Sequence, residues 1–159
     1  MSSTALVHLP SPDNFPAYSR AVAALPRLSF DDEQALSRRW RDHGDRAAAQ
    51  DLVIANLGLV LRAVKAHSGY RMNRADLAQE GTIGLMKAIQ RFDPDRGLRL
   101  ATYAVHWIDA EIREFILKNW RLVSWGTSSL AKTLFFGYRK TLAHLSTLNI
   151  NRQPPSAAE

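Results

Sequence analysis

Cysteine is absent from the 159 residues, which excludes a disulfide framework and any thiolate metal site. The 5 histidines are scattered and none stands at metal-ligand spacing from another. There is no HExxH, no glycine-rich phosphate loop and no nucleophile elbow, so the chain is expected to be no enzyme and to carry no metal or cofactor. No apolar run approaches the roughly 20 residues that span a bilayer. The opening "MSSTALVHLPSPDNFP" lacks the basic and long apolar regions of a secretory signal. These absences lead to the expectation of a cytosolic protein with no membrane partner. Strand alternation and internal repeats are missing too.

What is present is ordinary globular apolar content, 46%, in a chain long enough for one domain with a real core. The net charge of +6 is unevenly placed. Residues 1–111 hold 14 Lys+Arg against 13 Asp+Glu, whereas residues 112–159 hold 7 against 2. A basic end suits a polyanion such as nucleic acid, though many solvated surfaces are mildly basic.

The periodicity is helical nearly throughout, and the expected fold is all-α: a compact domain of four to five helices with flexible ends. Pro10, Pro12 and Pro16 make the start read as a loose tail, with Leu9 and Phe15 able to pack locally. Ser29 is placed to cap a helix whose first turn holds Asp31, Asp32 and Glu33, where carboxylates suit the dipole. "HGD" at 43–45 breaks it, and Asp45 caps a second helix running to about Ser68, with Val53, Leu57, Val60 and Val64 on one stripe and Gly69 as its stop. Asn73 caps a third, ending near Phe92 with Leu77, Leu85, Ala88 and Ile89 inward, and "DPDRG" is a turn by composition. A fourth runs from about Thr102 to Trp120, and "LAKTLFFGYRKTLAHL" suggests a shorter fifth.

Two helix faces are chemically odd. On the fourth helix, Val105, Ile108 and Ile112 make an aliphatic stripe that Phe115 and Ile116 extend, while Tyr103, His106, Trp107 and Ala110 collect opposite. That second face fits either packing beneath another element or a stacking platform for unpaired bases, with Lys87, Arg91, Arg96 and Arg99 near enough to hold phosphates. On the third helix, Asp76, Gln79, Glu80 and Lys87 surround an outward Ile83. This is either a solvated surface with one stray isoleucine or a docking face with an apolar centre.

"DLVIANLGLVLRAVKAHSGY", "DLAQEGTIGLMKAIQRFDPDRGLRLATYAVHWI" and "LFFGYRK" resemble bacterial sigma factors, closest to the heat-shock type, over roughly residues 25–140. The resemblance implies a helical domain that grips RNA polymerase core and opens promoter DNA. It carries binding to the coiled coil of the largest polymerase subunit onto Asp76, Gln79, Glu80 and Met86, with Thr82 where asparagine is usual, and it gives Ile83 a reason. "TYAVHW" is similar to the element that captures the non-template strand of the minus-ten region. Tyr103 would stack on the flipped adenine, Trp107 would cap the fork, and Asn56 would help enclose an extruded base. Partners implied are polymerase core, single-stranded minus-ten DNA and an anti-sigma protein, in the cytoplasm of a bacterium at its nucleoid.

The departures matter as well. His106 stands where the family usually has the first of two tryptophans, Asp109 replaces a usual arginine, and Gly58 sits where arginine is common. Residues 109–114 hold 3 acids against 1 base, which opposes a nearby phosphate backbone. The expected organisation is a tail over 1–24, the core-binding and promoter-melting domain over 25–122, an additional helical segment over 123–145 and a flexible end over 146–159. Without the family's helix-turn-helix domain, three readings stay open: a piece of a longer protein, a minimal sigma factor, or a mimic that occupies polymerase without opening DNA.

Overall fold

The computed structural model describes residues 9–70, 72–119 and 136–137. The chain divides at Trp120 into two units. Of the second, only Phe136 and Gly137 are described, both helical. The helical segment expected over 123–145 otherwise lies outside the described residues. The first unit is all-α among the described residues, in the order α1 (Phe15–Ala23), α2 (Phe30–His43), α3 (Arg46–Ala66), α4 (Arg74–Arg91) and α5 (Leu100–Asn119). Single 3-10 turns at Ser68–Tyr70 and Pro94–Arg96 flank α4.

Local chemistry explains most boundaries. Ser29 accepts from the Asp32 N–H at 3.1 Å, Asp45 from Ala47 at 3.0 Å, and Asn73 from Ala75 at 3.0 Å, each satisfying an N–H that has no intrahelical partner. Gly44 ends α2 in the left-handed conformation at φ 62°, where a side chain would be strained. The start of the chain differs from the loose tail expected over 1–24. Asn14 caps α1, and Pro16 falls in its first turn, where a missing N–H costs nothing. Tyr18 and Val22 bury α1 in the domain, and burial raises the Tyr18 phenol above its usual pKa.

The core is built by Leu52, Val60 and Val64 of α3, Leu77 and Leu85 of α4, and Leu100, Ile108, Ile112 and Ile116 of α5. Each fully buried aliphatic side chain contributes about 1.5–3 kcal/mol. The α5 stripe runs along 100, 104, 108, 112 and 116, so Ala104 is buried and Val105, expected inward, is 44% exposed. α3 corrects a second expectation: it is long and apolar enough, by length and composition, to cross a bilayer. Its inward side is core, and Arg62 and Lys65 are exposed.

α4 and α5 form the closest pair. A Cβ on Gly84 would lie 2.7 Å from the Trp107 carbonyl oxygen and 2.8 Å from the Ile108 Cα. Only a residue without a side chain lets the two backbones meet there. The other tie is unexpected. Glu33, placed by sequence in the first turn of its own helix, is buried and turned inward, where it accepts from the Leu100 N–H at 2.9 Å. Gln34 donates to the Leu98 carbonyl at 3.0 Å. α2 thus caps α5.

Candidate nucleic-acid interface

The ring-bearing face starts where α4 ends. Phe92 and Tyr103 lie 6.1 Å apart at 40°, and Tyr103 and Trp107 lie 6.0 Å apart at 60°. The Arg91 guanidinium sits 4.6 Å from the Trp107 ring centroid, a cation–π distance. Tyr103 and Trp107 are therefore half-buried, while His106 and Ala110 are exposed. The face is neither wholly wet nor wholly packed away: two rings lean on the end of α4 and keep part of their surfaces outward. Gly84 sets the depth of Trp107 by admitting its backbone against α4.

The cations expected beside this face behave unequally. Lys87 donates to both carboxylate oxygens of Glu111, at 2.7 and 2.6 Å. Arg96 pairs with Asp93 at 3.6 Å on the 3-10 turn. Arg99 donates to the Leu28 carbonyl at 3.2 Å and lies 3.7 Å from Glu33. Three of the four are thus engaged within the protein, and Arg91 alone stands at the rings. The partners of Lys87 and Arg99 lie 24 and 66 positions away in sequence, so nothing local announced them. Asp109 is engaged as well, accepting from Arg113 at 3.2 Å and standing 4.0 Å from the buried His67 Nδ1.

Asn56 is away from the rings' own contacts, in the wall of a cavity of about 330 Å³ beside Leu59, Arg62, Arg99 and Ala101. It is buried, and its Nδ2 donates to the Leu52 carbonyl at 2.8 Å, leaving its amide oxygen as the acceptor for a guest. The volume falls within the range of small-ligand sites.

The third expected surface is continuous. Asp76, Gln79, Ile83 and Met86 are exposed along α4, with Glu80 and Thr82 half-exposed beside them. Their spacing of three and four residues puts them on one side. Ile83 and Met86, at 37% and 42% exposure, make an apolar centre within a polar border. Thr82 is turned back, its hydroxyl donating to the Ala78 carbonyl at 2.7 Å.

Residues 52–122 match the family model for sigma-70 region 2. The chain is also 45% identical over 138 residues to the RNA polymerase sigma-C factor of Myxococcus xanthus, an alignment covering 87% of this chain and 46% of that protein. It therefore spans about half the length of the curated relative it matches. Both findings support a sigma factor. The region 2 match contains Asn56, the whole of α4 and the whole of α5, so the rings and the docking stripe fall inside it, whereas Arg27, Leu28 and Glu33 of the cavity wall lie before it. α1, α2 and the capping Glu33 precede it.

Proposed function

We propose that this chain acts in bacterial transcription initiation, docking on RNA polymerase core through the outer side of α4 and capturing the non-template minus-ten strand at the start of α5. The array Arg91–Trp107–Tyr103–Phe92 carries this reading. Rings that retain outward surface stack on any base, each contact contributing about 1–3 kcal/mol, and such contact requires bases out of the duplex. Tyr103 takes the flipped adenine, Trp107 caps the fork, and the Asn56 cavity takes a second extruded base. The polar stripe with Ile83 and Met86 at its centre supports docking, because interface cores are apolar and their borders polar. The heat-shock type remains part of this proposal, alongside a relative named sigma-C.

One observation favours a second reading, a mimic that holds core without opening DNA. Glu111 neutralises Lys87, and Asp109 and Glu114 add acid to the same helix. Fluorescence anisotropy of a labelled single-stranded minus-ten oligonucleotide with saturating core separates the two. Initiation expects capture by the parent and a roughly 5- to 150-fold loss in Tyr103→Ala. A parent that competes with a full-length sigma factor for core yet captures no oligonucleotide establishes the mimic instead. Gln79→Ala and Glu80→Lys should weaken core binding with helicity intact; equal pull-down of both variants removes the docking assignment.

A further inference from the structure

A strand held only by stacking would leave its phosphates unneutralised, and three of the four cations expected to serve them are paired internally. Lys87 is bound by Glu111, Arg96 by Asp93, and Arg99 by Glu33 and the Leu28 carbonyl. Arg27 and Arg62 are different. Both are exposed, and neither has an ion pair among the described residues. They come from separate parts of the chain, the α1–α2 connection and the C-terminal third of α3, and both line the cavity that holds Asn56. The carboxylate in that wall, Glu33, is occupied by the Leu100 N–H. The cavity thus presents two uncompensated guanidinium groups around a buried amide. A guanidinium binds phosphate oxygens through two parallel N–H donors.

We infer that Arg27 and Arg62 form a phosphate clamp at the mouth of the Asn56 cavity, gripping the backbone of the nucleotide whose base enters it. The inference rests on the strand-capture reading and adds the anion site which that reading lacks. Gly58 gives it a constructive test. It lines the same cavity, one helical turn before Arg62, is exposed, and has nothing within 4 Å of where a Cβ would stand. A long cation placed there can reach the same mouth.

The experiment measures oligonucleotide affinity of the chain bound to polymerase core across about 50–200 mM salt. Each lost phosphate contact on a single strand should lower the slope of log affinity against log salt by about 0.7, so the affinity lost over that range shrinks about 2.6-fold per contact. Arg62→Ala and Arg27→Ala are each expected to show this, with unchanged thermal unfolding because neither side chain is paired. Gly58→Arg in the Arg62→Ala background should restore the slope. An oligonucleotide lacking the inserted base should keep the arginine effects while becoming indifferent to Asn56→Ala. Capture by the parent with unaltered slopes in both arginine variants overturns the clamp alone. A parent that captures no oligonucleotide overturns the strand-capture reading, and the clamp with it.

Discussion

Replacing Gly84 with alanine asks how close α4 and α5 have to lie. The new Cβ would stand 2.7 Å from the Trp107 carbonyl oxygen and 2.8 Å from the Ile108 Cα, where ordinary contact begins at 3.4 Å. Both obstacles are backbone, so no rotamer relieves them, and α5 has to retreat by about 0.7 Å. Alanine gains about 1 kcal/mol of helix propensity. Overpacking costs about 1–3 kcal/mol, and a clash against backbone belongs at the upper end, for a net loss of about 2 kcal/mol. Gly58→Ala provides the control: same helix chemistry, open space, and so a net gain of about 1 kcal/mol. Gly81→Ala should fall between, because its nearest neighbours are the side-chain tips of Val60 and Ile112, which can yield. Urea unfolding followed by far-UV circular dichroism should order the midpoints Gly58→Ala, parent, Gly81→Ala, Gly84→Ala, with the extremes separated by on the order of 1–2 M. A Gly84→Ala midpoint at or above the parent would refute the close-approach argument.

Glu33→Ala removes a buried acceptor from the Leu100 N–H and should cost about 2–3 kcal/mol, whereas Glu33→Gln keeps an acceptor of the same size and should lose less; equal losses would mean that the pairing of the carboxyl group with Arg99, not the cap, holds the site. Glu111→Gln should release Lys87, costing at most about 1 kcal/mol because the lysine is substantially exposed. If Lys87 then reaches the strand, the salt slope of oligonucleotide binding steepens by about 0.7; an unchanged slope leaves Lys87 a purely structural residue. The Asp45 carboxyl is held below its usual pKa first by hydrogen bonding from Arg39, then by the Ala48 N–H. Its contribution is therefore complete above the unfolded value of about 3.9 and is lost as pH falls through the lower folded one. Asp45→Asn, which can still cap, should flatten the acid limb of a stability-versus-pH curve; an identical limb in the variant would exclude that linkage.

How much was legible depended on distance along the chain. The caps Ser29, Asp45 and Asn73 act on N–H groups two or three residues away, so sequence shows donor and acceptor together. The inward stripe of α4 was legible for the same reason. α1 was missed because its prolines read as a tail, although Pro16 two residues after Asn14 is a helix-starting arrangement. Val105 was misplaced by following the largest aliphatic side chains instead of the four-residue rows that begin at Leu100. The ring face and the α4 stripe could be named from residue types alone. The engagement of Lys87 and Arg99, and the gathering of Arg27, Arg62 and Asn56 around one cavity, needed tertiary structure. "GTIG" was a second overlooked local signal, two small residues three apart on a helix that must approach another closely.

The cap that Glu33 lends to α5 has a consequence for the order of assembly. Leu98 and Arg99, just before the helix, have no side-chain acceptor to offer the Leu100 N–H, so that group takes its partner from outside α5. Its acceptor lies 67 residues upstream. On a ribosome adding roughly 5–20 residues per second, α2 is made roughly 3–13 s before Leu100 appears. The stabilising group is thus already waiting when the ring-bearing turn emerges. Refolding from denaturant has no such sequence of events: the long connection has to close before the turn gains its partner. The end of α5 that bears Tyr103 should therefore be the late-forming part of the domain in the test tube, and the first to open to hydrogen exchange.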